Sequence, residues 1–183
     1  MKVTLSHVPH LATKVSIDLN KSGLVSITSG LEKVAQEAEN VLIESVKQEM
    51  ALEARVDEML DDNEEQIDFY LADERQLFFM IKKKLAEEYG VILNYEERFS
   101  DLAHKILDNL YEEDLIHYDV SENRIKNVIY DAMTGYIADT SELESAVIDT
   151  ISSYKRKVVP GTDEYEILFE KLYKEELIKR GMA

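Results

Sequence analysis

The chain has 183 residues, a formal net charge of −17 and 45% hydrophobic residues, enough apolar content for folded cores despite the charge. It contains no Cys and no Trp, which excludes a disulfide framework, a cysteine-ligated zinc ribbon and a thiol nucleophile. The acidity also excludes general nucleic-acid binding, because phosphates are repelled and counterion release needs a basic face.

Only two prolines and six glycines interrupt a composition rich in Glu and Lys, which predicts an all-α fold. The opening stretch MKVTLSHVPHL has an early Lys but no continuous apolar run behind it, so no export signal is expected. The first helix carries Val8, Leu11, Ala12, Val15 and Leu19 on one stripe, with Ser6 as N-cap, Pro9 in the first turn and Gly23 as a left-handed stop. A capping box at Ser29–Glu32 opens a second helix through Val34, Ala38 and Leu42, and a third runs through Leu52, Val56 and Leu60. The fourth starts at Asp73, buries Leu77, Phe78, Ile81 and Leu85, and ends at Gly90. Its run Leu77–Ile81 is the longest strongly apolar one and is too short to cross a membrane. A hinge is expected around Gly90–Asn94.

The plan then recurs. At a spacing of 91 residues Leu11, Ala12, Lys14 and Leu19 meet Leu102, Ala103, Lys105 and Leu110, and Gly90 meets Gly181. The register slips by three to match Val34 with Val128, then returns at Leu52 with Leu143 and Phe78 with Phe169. Capping-box spacings stand at Asp119–Glu122 and Ser141–Glu144, and Thr162 caps a last helix with acidic residues at its start and Lys179–Arg180 at its end. Residues 1–91 carry 10 basic and 18 acidic groups, residues 92–183 carry 11 and 20. The expected architecture is two tandem helical-bundle repeats of about four helices each, 1–91 and 92–183.

The second half carries a resemblance. An early helix of the form HLA…I…L…LI is followed later by Lys155, Arg156, Lys157, Pro160, Gly161, Glu164 and Tyr165. A tail with Tyr173, Glu175, Glu176, Arg180 and Gly181 completes the pattern. It resembles the bacterial domain-of-unknown-function family 507, most closely over Phe99–Gly181 and weakly over the first half. The resemblance implies a helical bacterial protein and no particular chemistry.

Few constellations stand out. His7 and His10 share one helical turn but have no specific third ligand, so no metal site is expected. Asp61, Asp62, Glu64 and Glu65 lack the alternating spacing and central Gly of a calcium loop and read as a solvated helix end. Lys82–Lys84 read as cations favoured by a helix C-terminus. Phe69, Tyr70, Phe78 and Phe79 read as core, with a partner-binding face as the alternative. The run Lys155, Arg156 and Lys157 exceeds what helix capping needs, and its expected counterpart is an acidic surface, including the Asp61–Glu65 run of the other repeat. A non-enzymatic interaction or scaffold protein in the cytoplasm is therefore expected, without cofactor, membrane span or general DNA binding. Its partner is a protein, a second copy included. The alternative is a binder of an anionic ligand or RNA through Lys155–Lys157.

Overall fold

The stop at Gly23 and the sparse helix breakers set the pattern of the fold, which is all-α. The computed structural model describes residues 3–69, 73–154 and 156–179. Helix α1 (Val8–Ser22) leads through the two-residue strand β1 (Ser26–Ile27) into α2 (Leu31–Asp61). Short α3 (Glu64–Phe69) and α4 (Glu74–Leu85) follow, then α5 (Tyr95–Glu112), strand β2 (Ile116–His117), α6 (Glu122–Ser152) and α7 (Asp163–Lys179). The two strands pair antiparallel, Ser26 with His117 and Ile27 with Ile116. No stretch of alternating β-branched residues announces them; two residues per strand leave too little pattern to read.

The chain divides into two compact units, Lys2–Thr134 and Gly135–Ala183. In the larger, α1 buries Val8, Leu11, Ala12, Val15, Ser16 and Leu19, and packs on α2, which also packs against α4 and α5. At the far end of α2, Leu52, Val56 and Leu60 form a core with Ala86 and Val91, against which Leu77, Phe78 and Ile81 of α4 pack. In the smaller unit Leu143, Val147 and Ile151 of α6 form a core with Leu168, Phe169, Leu172 and Leu177 of α7. Tyr165, Phe169 and Tyr173 stack in sequence along α7, with ring centroids 6.1 and 5.9 Å apart.

The caps follow the sequence in part. Asp73 accepts from the Gln76 amide and Thr162 from the Tyr165 amide, while Gly23 takes φ 65° at the end of α1. Elsewhere the structure differs. His7, not Ser6, occupies the N-cap of α1, and neither it nor Gly30 at the N-cap of α2 caps through a side chain. The second and third helices expected in each half are one helix, α2 and then α6, each 31 residues long. Ile43 to Ala51 contains no Gly or Pro, and the buried stripe continues through Val46 and Glu49 to Leu52, so nothing ends the helix there. Ser141 thus lies inside α6, where its carbonyl accepts from the Ser145 hydroxyl instead of its side chain capping a helix.

The burial pattern repeats. The buried positions of α1, from Val8 to Leu19, return in α5 as Phe99, Leu102, Ala103, Ile106, Leu107 and Leu110, each 91 residues on. Those of α2 return in α6 at the same spacing, Val34 with Ile125, Ala38 with Ile129, Glu49 with Thr140 and Leu60 with Ile151. Burial therefore keeps one spacing through the middle, where the sequence suggested a slip of three.

Candidate functional site

Helix α2 ends in a carboxylate-rich surface. Asp57, Glu58, Asp61 and Asp62 are exposed, as are Glu64 and Glu65 at the start of α3. Arg55, the one cation in this last part of α2, is taken up by Glu58. Beside this surface α4 lays a shallow groove of about 390 Å³ lined by Asp57, Leu60, Glu74, Arg75, Phe78 and Phe79. Phe78 turns partly into the core, while Phe79 meets it edge-on and stays 59% exposed, with Met80 beside it 49% exposed. Adjacent positions on a helix diverge by about 100°, so a helix of this slimness can core one ring only by exposing the next. The aromatic string thus splits between the two readings of it: Phe78 is core and Phe79 is surface. Tyr70 and the side chain of Phe69 lie outside the described residues.

The basic run occupies the segment between α6 and α7. Lys155 lies outside the described residues. Arg156 is 79% exposed and its guanidinium reaches Glu164 at 3.1 Å, while Lys157 is exposed. Tyr154 and Val159 flank the run, 42% and 60% exposed.

A buried ion network holds the core of the larger unit in place, and sequence reasoning missed it. Glu49 lies on the buried stripe of α2 and receives Lys82 of α4 at 3.0 Å and Arg98 of α5 at 2.6 Å. Lys82 also reaches Glu53 at 2.7 Å, and Arg98 donates to both the hydroxyl and the carbonyl oxygen of Ser45. Burial alone would raise the Glu49 carboxyl, but the hydrogen bonds and charges of Arg98 and Lys82 outweigh it and hold it below its ordinary value. Burial likewise works against charged Lys82, yet bonds from its ammonium to Glu53 and Glu49 raise it. A glutamate on an apolar stripe was the available signal. Lys82 stands in the last turn of α4 with exposed Lys83 and Lys84, as expected, and in addition ties α4 to α2.

Between α2 and α5 a polar cleft of about 180 Å³ is lined by Glu44, Ser45, Gln48, Arg98, Asp101, Lys105 and Asn109, and also by Gly90–Ile92. Its polar groups have partners: Lys105 pairs with Asp101 at 2.9 Å, Gln48 donates to Glu44, and Asn109 donates to Glu37 outside the lining. His7 accepts or donates near the Thr4 hydroxyl at 3.2 Å, and His10 is exposed. Among the described residues no cluster of three metal-ligating side chains occurs, and no helix is long and apolar enough to cross a membrane.

The fold and these surfaces define an all-helical protein whose distinctive exposed chemistry is charge beside aromatic rings. The chain belongs to the family described as "Protein of unknown function (DUF507)", whose model matches residues 1–182. The match thus takes in the first half as fully as the second. No curated protein matches the chain.

Proposed function

We propose that the protein is a non-enzymatic, cytoplasmic interaction protein that docks a partner protein on the α2–α4 end of its larger unit. The observation that carries this reading is the pairing of exposed Phe79 with the carboxylates of Asp57 and Glu74 around one groove. An exposed ring supplies contact area at small entropic cost, and the surrounding charge selects and steers the partner. We further read the chain as two tandem repeats, 1–91 and 92–183. The shared 91-residue spacing of the buried positions supports this, as does the pairing of Ser26 with His117, its own counterpart at that spacing.

The test is affinity capture from the native cell with wild-type protein, a Phe79→Ser variant and an Arg156→Glu/Lys157→Glu variant. A defined protein bound by the wild type and lost with Phe79→Ser supports the reading. Salt-dependent retention on RNA that vanishes with Arg156→Glu/Lys157→Glu, and is indifferent to Phe79→Ser, would replace it with an anion-binding function.

A further inference from the structure

We propose that the occupant of the α2–α4 groove is the stretch Arg156–Val159 of a second copy of this chain, with its Tyr154 alongside; the inference rests on the docking role of that groove. The groove has apolar walls of Leu60, Phe78 and Phe79 and charged walls of Asp57, Glu74 and one cation, Arg75, so its excess of carboxylate is small by itself and is extended by the exposed Asp61 and Asp62 at the acidic end of α2. Its complement is a short segment that carries cations next to exposed apolar side chains. The chain holds such a segment: Arg156 and Lys157 are exposed between Tyr154 and Val159, which are themselves exposed. The stretch lies between the end of α6 at Ser152 and the start of α7 at Asp163, where the Tyr154 amide donates to the Ile151 carbonyl and the Val159 carbonyl accepts from the Thr162 amide, so its side chains carry the contact. Arg156 gives up little by leaving Glu164, because that pair is exposed on both sides and such pairs contribute little.

The net charge of −17 sets a condition on this contact. Two copies repel at long range, and only contact-range pairing draws them together. Exposed charges are screened beyond about 8 Å at physiological ionic strength but only beyond about 30 Å at 0.01 M. Association should therefore be strongest at intermediate salt, weakened by long-range repulsion below it and by loss of the ion pairs well above it.

Sedimentation velocity from about 1 μM to about 0.2 mM chain tests the proposal. The expected result is a concentration-dependent dimer with that salt optimum. Arg156→Glu/Lys157→Glu and Asp57→Lys/Glu74→Lys should each lower the association constant at least about tenfold. An equimolar mixture of the two variants should restore it, since each then offers what the other lacks. Phe79→Ser should weaken association without reversing charge, and circular dichroism melts of every variant check that folding is intact. A wild type that stays monomeric throughout overturns the proposal, and so does a mixture that fails to associate. If a monomeric wild type still loses its captured cellular partner on Phe79→Ser, only the self-pairing falls and the interaction role stands.

Discussion

Two stretches 91 residues apart solve one packing problem with different chemistry. In the larger unit Glu49 and Glu53 of α2 meet Lys82 of α4, Ser45 and Glu49 meet Arg98 of α5, and ion pairs fill the space. The counterparts at that spacing in the smaller unit are Tyr136, Thr140 and Glu144 of α6 and Tyr173 of α7. There Thr140 spends its hydroxyl on the carbonyl of Tyr136 in its own helix, and Tyr173 joins the apolar cluster. The apolar stripe sets where the helices touch, while the few polar positions along it are free to become a salt network or an aromatic packing. The two choices fail differently. An ion network adds little net stability over an apolar filling but is costly to break by halves.

The comparison is broken most sharply at Glu49. Glu49→Ala leaves Arg98 without its carboxylate in a mostly buried site and should lower the unfolding free energy by about 3 kcal/mol, read as a fall in denaturant midpoint. Thr140→Val, its counterpart, should cost less than about 1 kcal/mol because the lost bond is local. Equal effects at the two positions would show that the contrast carries no energetic weight. In the smaller unit the larger loss should come from Tyr173→Ala, about 2 kcal/mol for a partly buried ring.

The two regions also part company with pH. Because folding lowers the Glu49 value, its contribution is present above the unfolded value of about 4.3 and is lost as pH falls through the folded one. Wild-type stability should therefore drop in acid more steeply than that of Glu49→Gln, as urea midpoints measured across the acid range would show. Tyr173 has the opposite sign. Burial, with the neighbouring Tyr136 and Glu144, pushes its hydroxyl up to about 12. Its contribution holds below about pH 10 and is lost as pH rises toward that value. Ultraviolet titration of Tyr173→Phe against wild type should remove one late-ionising phenol.

A smaller effect sharpens the comparison at the helix ends. Gly23 and Asp114 stand 91 residues apart and both adopt positive φ, 65° and 55°, after α1 and α5. Glycine enters that region freely and Asp does so under strain, so Asp114→Gly should gain up to about 1 kcal/mol. Thermal melts at fixed concentration read the gain. Smallest of all is Glu164→Ala, whose exposed partner Arg156 should leave the melting temperature unmoved.

What was legible in the sequence was what repeats locally. The stripes of α1 and α5 and the caps at Asp73 and Thr162 could be read because their signals lie within a turn or two of the residue concerned. The unbroken run of α6 is hidden because Ser141–Glu144 has the same capping-box spacing as Ser29–Glu32, and spacing alone does not say whether a helix starts there. The candidate site was half legible. The acidic run and the basic run stand out as composition, but which ring of Phe78–Phe79 faces water depends on the register of α4 against α2. Glu49, Lys82 and Arg98 were illegible as partners because they come from three separate helices.

The pairing of Ser26 with His117 has a kinetic side. It joins backbone about 90 residues apart through only two residues per strand, with Thr28 adding one amide bond to Leu115 and one hydroxyl bond to Asp114. Helices close local loops first and gain contacts at every step, whereas these strands must wait for both flanking helices to arrive. The strand pair should be the last hydrogen-bonded element to form and, once formed, the first to open, so the amide of Thr28 would exchange with solvent well ahead of those in the middle of α1 and α5.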